Sequence, residues 1–149
     1  MNVALASNHR GFVAKEQIKL MLQESGHETI DCGCDGTTSC DYPDMAFAGA
    51  TSVASGASDR GIFLCGTGIG MSICANKVRG IRAALCHDEL TAEMSRRHNN
   101  ANVLCLPADL LGEELIHRLV EVWMRTEYEG GRHGRRIEKI TDFDTKRCG

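Results

Sequence analysis

Proline, aromatic residues and long apolar runs are all scarce in this sequence. Two of its 149 residues are proline and 5% are aromatic, which excludes a proline-rich or collagen-like chain. No apolar run approaches the roughly 18 residues that a membrane-spanning helix requires, and the first residues lack the basic and apolar regions of a secretion signal. We therefore expect a cytoplasmic globular protein that does not act at a membrane.

Neither sign of charge dominates. The sequence holds 17 lysine and arginine residues against 20 aspartate and glutamate residues, which gives a net charge of -3 at pH 7. Because this composition offers no general basic field, we expect no nucleic-acid partner. A chain of this length buries enough surface to fold without metal or disulfide links, so the sequence predicts a single domain over residues 1–149.

Cysteine is the exception, because the sequence contains eight. Without an export signal, these favour reduced thiols over a disulfide scaffold. Six lie in or beside apolar stretches, where cysteine acts as a small hydrophobic residue: Cys32, Cys34, Cys65, Cys74, Cys86 and Cys105. The spacing of Cys32, Cys34 and Cys40 matches no closed zinc site. The sequence also has no Cys-x-x-Cys motif, which counts against a thiol redox protein. We expect no bound metal.

Strand-length apolar runs alternate with segments of helical periodicity. The apolar runs cover residues 2–7, 28–32, 60–65, 81–86 and 102–106. The helical segments cover residues 12–25, 43–55, 69–78, 88–98 and 109–126. Strands that are apolar throughout are typical of a parallel sheet covered on both faces. The alternation therefore predicts an α/β fold, a three-layer α/β/α, Rossmann-like open parallel sheet of about five strands.

The last segment, residues 132–147, predicts a C-terminal helix. Ile137, Ile140 and Phe143 recur there at helical spacing, and we expect this apolar stripe to pack the helix against the rest of the chain. Arg132 and Arg136 are four residues apart and share one helical face, so their guanidinium groups could hold one anion. The alternative is a charged helix face in contact with solvent.

Polar clusters mark the candidate site. In an open parallel sheet, ligands bind beyond the carboxyl ends of the strands. We expect three clusters at this edge: Asn8 with His9, the segment 65–70, and His98 with Asn99. Each alone has a plainer interpretation, as a loop histidine or a helix end. Together with the two arginines they suit proton transfer next to a carbonyl group of an anionic substrate.

Glycine dominates the segment that follows the third strand. Gly66, Gly68 and Gly70 allow backbone N–H groups to turn inward at the start of a helix, which forms an anion or oxyanion hole. The segment is neither a Walker loop nor a dinucleotide fingerprint, because the required Lys and third Gly are missing. Cys65 comes directly before it, where the start of a helix favours a thiolate. A buried structural cysteine is the alternative.

Seven motifs, taken together, resemble one known family. In chain order they are Asn8-His9-Arg10-Gly11, Asp41-Tyr42-Pro43, Cys65-Gly66-Thr67-Gly68-Ile69-Gly70-Met71-Ser72-Ile73, Ala75-Asn76-Lys77, Gly80-Ile81-Arg82-Ala83, Ser95-Arg96-Arg97-His98-Asn99 and Glu129-Gly130-Gly131-Arg132-His133. The chain resembles, over essentially its full length, the ribose-5-phosphate isomerase B / galactose-6-phosphate isomerase family.

The resemblance implies an aldose–ketose isomerase that needs no metal or cofactor and interconverts D-ribose 5-phosphate and D-ribulose 5-phosphate. It implies that Cys65 is the base, with Thr67 beside it, and that His98 assists ring opening. The other residues that it implies are the loop residues Gly66, Gly68, Ile69 and Gly70 at the enediolate, the sugar contacts Asn8, His9, Tyr42, Asn99 and Asp109, and the phosphate ligands Arg132 and Arg136. It also implies a homodimer, or a dimer of dimers, with shared active sites.

Two positions depart from the family pattern. Asn8 stands where the family usually has Asp, and Asp109 stands where it often has a basic residue, commonly Arg. A carboxylate at position 109 could pair with Arg132 or Arg136 and hold it away from phosphate. The alternatives are therefore an isomerase of another sugar phosphate (allose 6-phosphate, galactose 6-phosphate or a tetrulose phosphate) or a sugar-phosphate-binding module without turnover.

Overall fold

A five-stranded parallel sheet forms the centre of the computed structural model, which describes residues 1–147. The strands are β1 (Asn2–Ser7), β2 (Glu28–Asp31), β3 (Arg60–Cys65), β4 (Ala83–Leu85) and β5 (Val103–Pro107). Their order across the sheet is β2-β1-β3-β5-β4, and every neighbouring pair is parallel. The predicted parallel sheet is confirmed, with β1, β3 and β5 at its centre.

Helices cover both faces of this sheet. They are α1 (Phe12–Glu24), α2 (Tyr42–Ala54), α3 (Ile69–Ala75), α4 (Glu89–Arg97), α5 (Glu113–Arg125) and α6 (Gly134–Arg147). One core contains residues of α1, α4 and α5 and includes the fully buried Trp123. The other contains residues of α2 and α3 and includes Phe63. The three-layer, Rossmann-like architecture is therefore confirmed. Among the described residues, no helix is both long and apolar enough to cross a membrane.

The two cores draw on alternate residues of the same strands, because successive side chains of a strand point to opposite faces. In β3, Ile62 and Leu64 belong to the first core, whereas Phe63 and Cys65 belong to the second. Gly49 of α2 has no side chain and so allows close approach, since a Cβ there would lie 2.7 Å from the Phe63 ring. Cys65 consequently faces α2 and α3 at the carboxyl end of the central strand.

The C-terminal helix forms, but it begins at Gly134 rather than at residue 132, so Arg132 lies in the 3-10 turn before it and the expected sharing of one helical face with Arg136 is wrong. The expected packing of the helix is also wrong within the single chain. No residue of α6 is buried, and Ile140 and Phe143 of the apolar stripe are 49% and 69% exposed. The helix lies beyond the β4 edge, where the backbone N–H of Gly80 donates to Asp144 Oδ2 at 2.7 Å. An open cleft of about 350 Å³ separates it from Ala83 and Ala84. The stripe is therefore available to another surface.

The expectation of reduced thiols is wrong for one pair. Cys34 and Cys40 form a disulfide, with Cα atoms 7.0 Å apart. The loop between β2 and α2 brings them together because both ends attach near the end of β1. The Cys34 N–H donates to the Ser7 carbonyl at 2.9 Å, and the Cys40 N–H donates to His9 Nδ1 at 3.3 Å. Cys148 lies outside the described residues, and the remaining cysteines are free.

Candidate active site

Cys65 ends β3, and its sulfur meets the backbone of the loop that follows. The Gly68 N–H donates to Cys65 Sγ at 3.1 Å. Gly68 has φ +73, a left-handed conformation that glycine adopts without steric cost, and this conformation turns its N–H back toward the sulfur. Cys65 is 5% exposed. An N–H aimed at the sulfur is the contact that a thiolate at this position would accept.

A cleft of about 490 Å³ opens beside this sulfur. Its walls are Asn8, Arg10, Tyr42, Cys65, Gly66, Thr67, Ile69, Gly70, Ile73 and Asp109. The contributing segments follow β1, β3 and β5 or begin α2 and α3, so the cleft lies at the carboxyl edge of the sheet. Eight of the sequence-predicted site residues therefore meet in one place, although up to 101 positions separate them in the chain.

Asn8 anchors the first wall of the cleft. Its side-chain oxygen accepts hydrogen bonds from the N–H groups of Arg10 at 3.1 Å and Gly11 at 3.3 Å. Asn and Asp fill such a capping position about equally well, so the departure at position 8 preserves the turn. The remaining amide group of Asn8 is a donor, which an aspartate would not supply.

Tyr42 and Gly70 form the opposite wall. A Cβ on Gly70 would lie 2.5 Å from Cε2 of the Tyr42 ring, so the ring lies directly against the backbone at the start of α3. Tyr42 is 41% exposed. This close approach requires glycine at position 70 and explains one of the three loop glycines independently of any oxyanion hole.

Asp109 pairs with Arg10 rather than with Arg132 or Arg136. Arg10 Nε donates to Asp109 Oδ2 at 2.5 Å. The pairing with Arg132 or Arg136 that the sequence allowed is not made among residues 1–147. Sequence reasoning placed Arg10 in a motif without giving it a role, and 99 positions separate it from its partner. Its one sequence signal was its place beside Asn8 and His9 after the first strand.

His98 and Asn99 are absent from the Cys65 cleft, and their expected position at the carboxyl edge is wrong. A helix that follows a parallel strand starts at the carboxyl edge and ends at the opposite one. His98 follows α4 and therefore lies at the amino edge, where its neighbours are Glu129 and His133. Asn99 borders the cleft beneath α6. His9, bonded to the Cys40 N–H, is likewise not a wall of the Cys65 cleft.

A second cluster, cationic in character, surrounds His98. The imidazole ring of His98 stacks on the ring of His133, with the ring centroids 4.2 Å apart and an angle of 11° between the ring planes. Arg132 Nε lies 3.4 Å from His133 Nε2 and donates to it. Burial, together with His98 and Arg132, lowers the pKa of His133 below its ordinary value, and Arg136 contributes in the same direction. Arg132 and Arg136 are exposed, so the cluster suits an anion such as phosphate.

The same cluster offers three potential metal ligands. The donor atoms of His98, Glu129 and His133 lie within 4.8 Å of one another. Imidazole binds metal in the plane of its ring, and two stacked, nearly parallel rings do not direct their lone pairs to one point. Glu129 is already bonded to Arg97 at 3.0 Å. The arrangement therefore fits an anion better than a cation.

Comparison with known proteins gives the same answer as the motifs. The sequence model described as Ribose/Galactose Isomerase matches residues 3–140. The chain belongs to this isomerase family. Ribose-5-phosphate isomerase B of Escherichia coli is 43% identical to this chain over 145 residues, which cover 97% of each protein. D-erythrulose-4-phosphate isomerase of Pectobacterium atrosepticum is 41% identical over 145 residues, covering 97% of this chain and 95% of the relative.

Solved structures of ribose-5-phosphate isomerase B share the whole fold. The structure of the Clostridium thermocellum protein superposes on this chain with a TM-score of 0.96 at 45% sequence identity. The match covers 98% of this chain and 99% of the Clostridium thermocellum chain. The chain is therefore a sugar-phosphate isomerase with the architecture that the sequence predicts.

Proposed function

We propose that the isomerase interconverts D-ribose 5-phosphate and D-ribulose 5-phosphate through an enediolate, with Cys65 as the base. The observation that carries this proposal is the hydrogen bond that the Gly68 N–H donates to Cys65 Sγ beside the cleft. A thiolate held there removes the proton from C2 of the open-chain aldose and returns it to C1. The enediolate between these steps carries its negative charge on oxygen, and that charge needs donors.

Backbone donors at the start of α3 meet this need. The first N–H groups of a helix have no carbonyl partner within the helix, and α3 begins at Ile69. Gly70 is in this first turn and lines the cleft. Asn8 adds a side-chain amide donor, and Thr67 adds an exposed hydroxyl beside Cys65. This set of donors supports stabilisation of the enediolate without a metal or another cofactor.

Ring opening and phosphate binding are assigned to the second cluster. Ribose 5-phosphate is mostly cyclic, so its carbonyl is hidden until a proton moves between the ring oxygen and O1. His98 is the residue proposed for this transfer, with Asn99 as a sugar contact and Arg132 and Arg136 as phosphate ligands. Because these residues lie away from Cys65 in the same chain, one chain holds half of the proposed machinery.

We therefore propose a homodimer, or a dimer of dimers, in which the partner subunit's His98, Asn99, Arg132 and Arg136 complete the Cys65 cleft. The exposed apolar residues support this assembly, since exposed patches mark interaction surfaces. Ile140 and Phe143 lie on α6, and Ile69 and Ile73, which are 51% and 56% exposed, border the Cys65 cleft.

A tetrulose phosphate is the second candidate substrate. The wall of the cleft carries a carboxylate, Asp109, where the resemblance leads us to expect a basic residue. One relative at 41% identity is named as an erythrulose-phosphate isomerase. The hypothesis of a binding module without turnover has less support, because the chain retains His98 and retains Cys65 with a backbone donor at its sulfur.

Two wider expectations belong to the same proposal. We expect residues 1–149 to act as one isomerase domain, in the cytoplasm, where charged sugar phosphates are retained. The disulfide between Cys34 and Cys40 is at odds with a permanently reducing compartment. We expect it to form there only under oxidising conditions.

The test is a panel of aldose phosphates, assayed for ketose formation with EDTA present throughout. We expect turnover of ribose 5-phosphate by the wild type and a loss of at least about a thousandfold in Cys65→Ala, since the residue does the chemistry. Cys74→Ala is the matched control, because Cys74 is a buried free cysteine of the same core. Faster turnover of a tetrose phosphate would favour the second candidate. Wild-type turnover by Cys65→Ala would overturn the assignment of the base.

A further inference from the structure

We propose that Arg10 binds the phosphate of the substrate from the same chain that supplies Cys65, and that Asp109 orients it. The proposal rests on the function proposed above and adds a residue to it. Among residues 1–147, Arg10 is the only cationic side chain in the wall of the Cys65 cleft. Arg132 and Arg136 reach that cleft only across an interface, whereas Arg10 is already in place in the single chain.

The position of Arg10 is fixed at the backbone and at the side chain. The backbone N–H of Arg10 donates to Asn8 Oδ1 at 3.1 Å, which holds the turn at the end of β1. The side chain crosses the glycine loop, since a Cβ on Gly66 would lie 2.9 Å from Arg10 Nε and 2.5 Å from Asp109 Oδ2. The ion pair therefore lies directly over Gly66, one residue from the proposed base, and a side chain at position 66 would have to displace it.

Asp109 is itself held by the loop on which the pair rests. Its backbone N–H donates to the Gly66 carbonyl at 3.0 Å, and the neighbouring Ala108 N–H donates to the Cys65 carbonyl at 2.9 Å. These bonds fasten the end of β5 to the Cys65 loop. Because both partners of the ion pair are anchored, the guanidinium loses little additional freedom when it binds a ligand.

The free edge of the guanidinium is the binding surface. Arg10 uses Nε for Asp109, whereas its Nη1 and Nη2 atoms make no hydrogen bond to the rest of residues 1–147. The side chain is 58% exposed. Two forked N–H groups that face an open cleft match the spacing of phosphate oxygens. A carboxylate alone at position 109 would repel phosphate, and its pairing with Arg10 removes that repulsion.

Arg118 shows what an ordinary surface ion pair looks like in this fold. Its side chain is 46% exposed and binds two carboxylates, Glu89 at 2.9 Å through Nε and Glu114 at 2.7 Å through Nη1. Two nitrogens of that guanidinium are bonded to carboxylates, and Arg118 does not line the Cys65 cleft. Such pairs contribute little to stability. Arg118→Ala is therefore a matched control for Arg10→Ala.

The test compares phosphorylated with unphosphorylated substrate. In Arg10→Ala we expect kcat/KM for ribose 5-phosphate to fall on the order of 10- to 100-fold, mainly through KM, as for a lost charge-assisted hydrogen bond. We expect kcat/KM for ribose to stay unchanged, and Arg118→Ala to match the wild type on both substrates. Equal losses on both substrates, or no loss on either, would overturn the role of Arg10.

Direct binding of inorganic phosphate, followed by ³¹P NMR, separates this inference from the proposed function. Weaker phosphate binding by Arg10→Ala supports the inference even if the wild type isomerises no sugar phosphate, in which case only the function fails. Unchanged phosphate binding in an enzyme that is active on ribose 5-phosphate overturns the inference alone.

Asp109 is tested as a positioning residue. Asp109→Ala should raise KM for ribose 5-phosphate less than Arg10→Ala does, with kcat unchanged, and Asp109→Glu should restore part of the loss. The double variant should be no worse than Arg10→Ala, because Asp109 acts through Arg10. A lower KM in Asp109→Ala, or multiplying effects in the double variant, would show that Asp109 does not position Arg10 for binding.

Discussion

Gly68→Ala should damage stability and catalysis together, because one glycine serves both. At φ +73 a side chain costs about 1–2 kcal/mol. The added Cβ would also lie 2.5 Å from Leu85 Cδ1 and 3.0 Å from the backbone carbon of Leu106, so overpacking adds about 1–3 kcal/mol. The sum is about 2–5 kcal/mol. At about 2–4 °C per kcal/mol for a chain of this size, Tm should fall by about 4–20 °C.

Catalysis should fall because the strained loop moves the Gly68 N–H away from Cys65 Sγ. A hydrogen bond to a charged group contributes about 1.5–3 kcal/mol, so kcat should fall roughly 10- to 150-fold. The assays are a thermal scan and steady-state ketose formation at a temperature where the variant is fully folded.

Gly26→Ala is the matched control for this variant. Gly26 has φ +81 and nothing within 4 Å of an added Cβ, so it tests the backbone cost alone. We expect a stability loss of about 1–2 kcal/mol with unchanged kcat. The reasoning is refuted if Gly68→Ala keeps the kcat of the wild type. It is also refuted if Gly68→Ala and Gly26→Ala lose the same amount of stability and the same amount of kcat.

Three further predictions concern other parts of the molecule. Lys15→Met should lower the free energy of unfolding by about 1–3 kcal/mol, since Lys15 is 1% exposed and bonds Asp31 at 2.6 Å. Lys19 is a less buried partner of the same carboxylate, with its side chain 30% exposed, so Lys19→Met should cost less than about 1 kcal/mol in chemical denaturation. Burial lowers the pKa of His133 in the folded chain. At pH values just below the ordinary pKa of histidine, His133 therefore binds more protons in the unfolded chain than in the folded chain. Stability should therefore fall between pH 7 and pH 5, and His133→Gln should flatten that fall; parallel slopes for the two proteins would contradict this. For protein kept under oxidising conditions, peptide mapping without reduction should yield one cross-linked species joining Cys34 to Cys40, and alkylation of both cysteines in that sample would contradict the disulfide.

The central sheet was predictable because its signal is local. The strand predicted over residues 60–65 is β3 as observed, since a strand covered on both faces must be apolar throughout. Helix α5 was predicted from residue 109 but begins at Glu113. The difference arises because Leu110 N–H donates to the Pro107 carbonyl in a turn, and the backbone at Gly112 is extended before the helix starts.

The parts that sequence reasoning missed depend on contacts between distant segments. His98 is the exception, because the predicted order of strand, helix and parallel strand already puts the end of α4 at the amino edge. The stripe of Ile140 and Phe143 shows an apolar face but not what covers it. The pairing of Arg10 with Asp109 follows from β1 and β5 both neighbouring β3, an order that no local pattern contains.

Deuterium incorporation during isomerisation tests most directly whether Cys65 transfers the proton. Ribose 5-phosphate would be incubated with the enzyme in D₂O and the sugar followed by ¹H NMR over many turnovers. Proton transfer through an enediolate predicts deuterium at C1 of the ketose and C2 of the aldose with the wild type and with Cys74→Ala, and none above background with Cys65→Ala. Ketose formation without deuterium uptake, or uptake by Cys65→Ala at the wild-type rate, would contradict the account.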